Sequence, residues 1–252
     1  MENKSFILKS TQLALIIQRI VCYFSLLVFY PILSIVMHSI YRYRIVGLKS
    51  IRKEFKKICS EVKGPLLVCS NHLTYIDPVI IHWACGSLWY YLFHYNRLLW
   101  NFPNARYSQK NWVSRFFFFA CKCIPVPRDR YNRKIKDSMQ KMRYLLSCNE
   151  TLLIFPEGKR SVTGKIDNQT LTKGIGRLLQ EFNHLPVLCI YLRGESNNNS
   201  SIPNKGEKFH LAFKLIIPEN NSNDSTAIED YSSQVRNTLC SMEEIFCNCS
   251  RP

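Results

Sequence analysis

The chain has 252 residues, 46% of them hydrophobic, which excludes a globally disordered protein and suits one large domain or one domain with an appendage. Lysine and arginine outnumber aspartate and glutamate by 34 to 18, a net charge of +16, so a polyanionic partner is expected, nucleic acid or an anionic membrane surface. No aromatic RNA-binding signature, helix-turn-helix pattern or zinc-finger spacing supports nucleic acid, and the aromatic content with an N-terminal apolar run favours the membrane.

The eleven cysteines are scattered, mostly in apolar runs such as those around Cys22, Cys69, Cys85 and Cys189, which reads as reduced, buried thiol in a reducing compartment. Cys121/Cys123 and Cys247/Cys249 together offer four thiolates, but their spacing departs from that of zinc ribbons. No metal is expected.

From Ile20 to Tyr41 no residue is formally charged. As one helix this segment would run roughly 33 Å, enough for a bilayer core, although Pro31 suits a kinked helix or two short interfacial helices equally well. It is too long for a signal-peptide core and lacks a small-residue cleavage site. Lys4, Lys9 and Arg19 precede it, whereas Arg42, Arg44, Lys49, Arg52, Lys53, Lys56 and Lys57 follow. By the positive-inside rule the main domain then lies at the cytoplasmic face of the membrane. The alternative is a buried core helix with a solvated basic neighbour. The expected layout is a membrane-anchoring helical segment over residues 1–44 and one α/β domain over 45–252.

Pro65 to Cys69 reads as a buried strand, and Ser70 to Pro78 as a polar loop entering a helix that stops at Gly86. Asp77 followed by Pro78 is a helix-start signature with Asp as N-cap, which puts His72 at the carboxyl end of a strand, where ligands bind in open α/β sheets. Leu88 to Phe93 reads as a strand. Asn111 to Ala120 reads as a short helix whose four consecutive phenylalanines cannot all face one core, so some need a lipid surface, a ligand tail or a second layer.

Cys123 to Pro127 is extended by its prolines and leads through Arg128-Asp129-Arg130 to a helix from about Tyr131 to Cys148. Thr151 to Phe155 is a strand running into Pro156-Glu157-Gly158-Lys159-Arg160-Ser161. A helix over Thr172–Phe182, a strand over Pro186–Leu192, a polar surface loop over Glu195–Lys208, a strand over Phe209–Ile217 and a helix from Ala227 to about Phe246 complete the chain. Strands alternate with helices throughout, which predicts an α/β fold, a layered mixed β-sheet with helices on its faces.

Two polar clusters each follow an apolar strand: Asn71-His72 with Asp77, and Pro156 to Arg160. If both strands share a sheet and a direction, their ends share a rim. A histidine beside a carboxylate is a usable general base, because the carboxylate selects the tautomer and stabilises the imidazolium. No Gly-x-Ser-x-Gly nucleophile elbow is present. Arg128, Arg130, Lys159, Arg160 and Lys173 follow or flank these loops and suit phosphate. Each signal also has an ordinary reading: Asp77 as a helix cap, His72 as a hydrogen-bonded loop residue, Glu157-Gly158 as a turn. The remaining histidines lie in or beside apolar runs and are read as structural.

Asn71-His72-Leu73-Thr74-Tyr75-Ile76-Asp77, followed some eighty residues later by Phe155-Pro156-Glu157-Gly158-Lys159-Arg160-Ser161, resembles the glycerolipid acyltransferase family, typified by 1-acylglycerol-3-phosphate acyltransferases. Ile124 to Arg128 looks like that family's second block and Leu185 to Ile190 like its fourth. The resemblance covers roughly Val46 to Pro218. It implies a membrane O-acyltransferase in which His72 deprotonates the free glycerol hydroxyl of a lysophospholipid, lysophosphatidic acid first among them, with Asp77 as partner of His72. It assigns acceptor binding to Asn71, Arg128, Glu157, Gly158, Lys159, Arg160 and Ser161, with acyl-CoA or acyl carrier protein as co-substrate, no cofactor and no nucleic-acid partner.

Lys122 stands where the second block usually has Gly, Pro127 where Asp is frequent, and Lys159 where the third usually has Thr. Phe155 to Lys159 with Gly174 to Leu178 is similar to tafazzin, the family's phospholipid transacylase branch. A thioester-independent transacylase is therefore the alternative reaction, and a non-catalytic lipid-binding membrane protein the alternative from another class.

Overall fold

The computed structural model describes residues 7–127, 133–161, 163–166, 173–196, 201–220 and 226–249. Its first helix, α1 (Lys9–Ile35), runs through Pro31 and passes into a π-type turn over Val36–Ile40. Pro31 removes one backbone donor, and of the forms the sequence leaves open the segment takes that of a single helix up to Ile35, widening only beyond the proline. The stretch Lys9–Ile40 is long and apolar enough to cross a membrane. There follow β1 (Arg44–Ile45), α2 (Leu48–Glu61), β2 (Leu66–Ser70), α3 (Asp77–Cys85), α4 (Leu88–Phe93), β3 (Trp100–Asn101), α5 (Ala105–Ser108) and α6 (Trp112–Ala120). Then come α7 (Arg133–Ser147), β4 (Thr151–Ile154), α8 (Lys173–Glu181), β5 (Val187–Gly194), β6 (Lys208–Ile216) and α9 (Ala227–Cys249).

The expected strand at Leu88–Phe93 is instead a helix. Every residue of that run is apolar or aromatic, so it has no period to read. The structure supplies the missing contrast: Trp89 and Phe93, four apart, are exposed, while Tyr90 and Tyr91 between them are buried.

The chain divides into two compact units, residues 1–33 with 88–152 and residues 34–87 with 153–252. In the first, α1 buries a stripe of Leu15, Gln18, Cys22, Leu26 and Tyr30. Gln18 Nε2 donates to the carbonyls of Phe119 and Cys123, each at 3.0 Å. β3 lies beside β4. Between these elements is a buried polar cluster. Glu150 Oε2 accepts from Trp100 Nε1 at 2.8 Å and from Lys122 Nζ at 2.8 Å. Lys122 Nζ also donates to the carbonyls of Leu98 at 2.9 Å and Tyr95 at 3.1 Å, and Arg19 Nε lies 2.9 Å from Glu150 Oε1.

In the second unit the strand order is β1-β6-β5-β2-β4. β1 runs parallel to β6, and β2 parallel to β5, with Leu67 opposite Val187 and Ser70 opposite Ile190. β5 and β6 are antiparallel, with Val187 opposite Ile216 and Gly194 opposite Phe209. The sheet is thus mixed, as expected. All five residues of β2 and the first six of β5 are buried, the continuous apolar pattern of strands covered on both faces. α2 contributes Ile51, Phe55, Ile58 and Cys59 to this core. α8 packs on α9 so closely that a Cβ on Gly176 would lie 2.0 Å from the Ile228 carbonyl oxygen.

Burial pulls the Lys122 ammonium from 10.5 down to about 8, against the opposing pull of Glu150. Between pH 8 and 10.5 the folded chain has released this proton while the unfolded chain still holds it, so the contribution of the site to stability rises with pH. Melting temperatures recorded from about pH 7 to about pH 10 therefore rise for the native protein relative to K122M; parallel profiles contradict this.

Candidate active site

The site is built where β2 leaves the sheet. Asn71, the first residue beyond the strand, is buried. Its Nδ2 donates to the Leu192 carbonyl at 2.9 Å and its Oδ1 accepts from the Leu192 N–H at 2.8 Å. Both ends of the amide are thus occupied by β5 backbone. Asn71 fastens the base of the loop to the sheet and does not present its side chain to a substrate.

Asp77 is the first residue of α3, and the N-cap position is Ile76, with no side-chain cap. The expectation of Asp77 as N-cap is corrected accordingly: its carboxylate points back into the loop instead of forward along the helix. Oδ2 accepts from the N–H groups of Leu73 at 2.6 Å and Thr74 at 2.8 Å, and Oδ1 accepts from Thr74 Oγ1 at 2.5 Å. His72 Nδ1 completes the set, 2.9 Å from Oδ2. A buried carboxylate needs donors of this kind to stay charged. Because an ionised carboxylate only accepts, the contact puts the histidine proton on Nδ1 and leaves Nε2 as the basic nitrogen.

Three contacts from the loop after β4 hold His72 from the other side. The ring of Phe155 stacks on the imidazole, with centroids 4.1 Å apart and planes at 23°. The His72 N–H donates to Glu157 Oε1 at 3.3 Å, and the His72 carbonyl accepts from Ser161 N–H at 2.8 Å. Gly158, with φ of 64°, turns this loop back so that its N–H reaches the Phe155 carbonyl at 3.0 Å, a conformation glycine adopts without a Cβ clash. β4 lies next to β2, so the two polar clusters meet at one rim as expected.

The acceptor residues assigned by resemblance are differently placed. Glu157 is buried and bonded to the His72 backbone, and the Ser161 hydroxyl donates to the Lys165 carbonyl at 2.5 Å. Lys159 is exposed. Arg160 lies with Cζ 3.7 Å over the Tyr75 ring and Nη1 donating to Ser201 Oγ at 2.9 Å. Arg128 lies outside the described residues.

Thr74, Phe155, Tyr75 and Ser201 are site residues that the sequence does not single out. The first three stand inside the quoted blocks, where any of them passes for a spacer. Ser201 belongs to the expected surface loop, of which residues 197–200 are outside the described set; its carbonyl accepts from the Tyr75 N–H at 3.0 Å.

A histidine paired with a carboxylate in this geometry is chemically able to act as a general base. Burial pushes the Cys69 thiol well above its ordinary range and that of Cys189 to about 12, so neither thiol suits nucleophilic attack near neutrality. Among the described residues no group of three or more His, Cys, Asp or Glu is placed to hold a metal.

A family model described as Acyltransferase matches residues 42–193. The chain belongs to this acyltransferase family, the 1-acylglycerol-3-phosphate acyltransferase type, and to its general class of enzyme. No curated protein matches the chain.

The Glu157 contact predicts a difference between two variants. E157Q keeps an oxygen for the His72 N–H and should retain most acyl-transfer activity. E157A releases the backbone beneath the imidazole, and a displacement of that kind can cost about a hundredfold. Equal losses in both, measured as kcat/KM, would show that the Glu157 charge itself is required.

Proposed function

We propose that the protein is an O-acyltransferase that moves a fatty acyl chain from a thioester, acyl-CoA or acyl carrier protein, to the free glycerol hydroxyl of a lysophospholipid, with 1-acylglycerol-3-phosphate as the leading acceptor and phosphatidic acid as product. The observation that carries this reading is the 2.9 Å contact of His72 Nδ1 with a carboxylate immobilised by three other donors.

Nε2 of His72 takes the proton of the acceptor hydroxyl as its oxygen attacks the thioester carbonyl. The tetrahedral intermediate collapses with cleavage of the C–S bond, and the imidazolium returns the proton to the departing thiolate. Asp77 stabilises the imidazolium through the intermediate steps. General-base assistance of this kind supplies about a hundred- to ten-thousandfold, and alignment of the two substrates must supply much of the remainder. The thioester is already activated, so the proposed route needs no cofactor.

Arg160 is a candidate for holding the acceptor phosphate: the Tyr75 face and Ser201 hold its guanidinium by one side, and arginine binds phosphate through paired N–H groups. The second block assigns the same role to Arg128. Lys159 extends the positive field. The acceptor and product are membrane lipids, and the basic residues that follow α1 favour the cytoplasmic face for the reaction.

H72A should lower acyl transfer by about a hundred- to ten-thousandfold while leaving fold and membrane binding intact; near-normal turnover by this variant contradicts the mechanism. The donor is tested with labelled lysophosphatidic acid and acyl-CoA, acyl carrier protein or intact phospholipid as sole donor. Turnover on a thioester is expected. Turnover on intact phospholipid alone replaces this reading with the transacylase, and lipid binding without turnover on any donor replaces it with a non-catalytic protein.

A further inference from the structure

Helix α6 exposes apolar side chains that a water-facing helix of its length would not. Trp112 is 79% exposed, Phe116 57%, Val113 54% and Phe117 47%. They recur at i, i+1, i+4 and i+5, one stripe of the helix, while Ala120 is buried and Phe118 and Phe119 are half-buried. The Asn111 side chain caps the helix by accepting from Ser114 N–H at 2.8 Å, so the stripe belongs to a properly terminated helix.

This stripe is continuous with a second apolar surface. α6 packs on α1 through Phe117 and Phe29, whose centroids are 5.6 Å apart, through Gln18 and through Cys22, whose Sγ donates to the Phe119 carbonyl at 3.0 Å. α1 spends only its narrow buried stripe on such contacts; Ile16, Ile20, Phe24, Leu27 and Val28 on its other sides are exposed. On α4, whose Tyr91 meets Tyr30 of α1 at 6.2 Å between centroids, Trp89 and Phe93 are likewise exposed. Exposed apolar surface on this scale marks an interaction face.

We infer that α6 is a second membrane-docking element: it lies in the headgroup–acyl boundary of an anionic phospholipid leaflet, beside α1. Two features select a bilayer over a protein partner. Trp112 at the start of the stripe is the residue type that settles at the membrane–water boundary. The exposed cations Arg106, Lys110 and Arg115 fall within and just before the same helix, the pattern of an in-plane amphipathic helix on anionic lipid. α1, held to α6 by Gln18 and Cys22 and to Glu150 by Arg19, then forms one wall of the docking face and does not stand alone in the lipid. The inference is independent of the acyl-transfer reading, because its readout is a fluorescence signal and not turnover.

The test reconstitutes the full chain in phosphatidylcholine vesicles containing a minority of phosphatidylglycerol. The emission of Trp112 is obtained as the difference between W89F and W89F/W112F; both substitutions are at exposed positions, and matching circular dichroism establishes that the fold is kept. Expected are a blue shift of the Trp112 emission on vesicle binding and loss of most of its intensity when the phospholipid is brominated near the glycerol end of its chains. R106Q/K110Q/R115Q should weaken that quenching on anionic vesicles and leave it unchanged on purely zwitterionic ones. Trp112 emission that is the same in brominated and unbrominated vesicles overturns the inference. Trp112 shielded from brominated lipid in a crosslinked dimer also overturns it, and assigns the stripe to a second copy of the chain.

Discussion

The site depends on one carboxylate that is buried and not allowed to move. Removing a charge from water is costly unless donors replace the water, and the loop after β2 provides them: two backbone N–H groups, the Thr74 hydroxyl and His72 Nδ1 all converge on Asp77. The same bonds shape the loop. Leu73 and Thr74 must turn their N–H groups inward to reach Asp77, and that turn places His72 at the end of the strand with Nε2 free of the carboxylate. Local fold and candidate chemistry therefore share one set of hydrogen bonds.

A different buried charge organises the first unit. Lys122 sits at φ of 54°, a left-handed conformation that costs a residue with a side chain about 1–2 kcal/mol, at a position where the family's second block usually has glycine. The lysine is retained there with all three of its donors used, by Glu150 and the carbonyls of Tyr95 and Leu98, and with its ammonium 4.1 Å from the centre of the Tyr95 ring. Pairing with Glu150 limits the desolvation penalty without removing it, which is why burial still draws the ammonium down. The departure from the family pattern is thus accommodated by a cluster of named partners.

Much of the fold was legible because its signals are periodic or abrupt. β2, β4 and β5 are short apolar runs bounded by polar residues or proline, and α8 repeats its apolar positions at helical spacing. The run Leu88–Phe93 was not legible, since an unbroken apolar run carries no period. At the site, residue type and spacing marked His72 and Asp77 as candidates and made the meeting of the two loops conditional on a shared sheet and direction. The direction of the Asp77 carboxylate did not, because an Asp-Pro pair at a helix start is compatible with capping forward or with closing the loop behind it. Asn71 and Glu157 show the same limit: sequence marks them as polar and near the site, but only coordinates show that Leu192 and the His72 backbone already occupy them. Tyr75 and Ser201 meet Arg160 through contacts that no local pattern announces.

The most direct test of the account is the kinetics of D77N. Asparagine retains the shape of the side chain and one oxygen for the loop N–H groups, so the loop and α3 should persist, while the negative charge that stabilises the His72 imidazolium is lost. The predicted result is a fall in kcat of about a hundred- to ten-thousandfold, with little change in KM and an unchanged circular dichroism spectrum. A folded D77N enzyme with kcat close to that of the native protein would contradict the account, because Asp77 would then be a structural residue of the loop and nothing more.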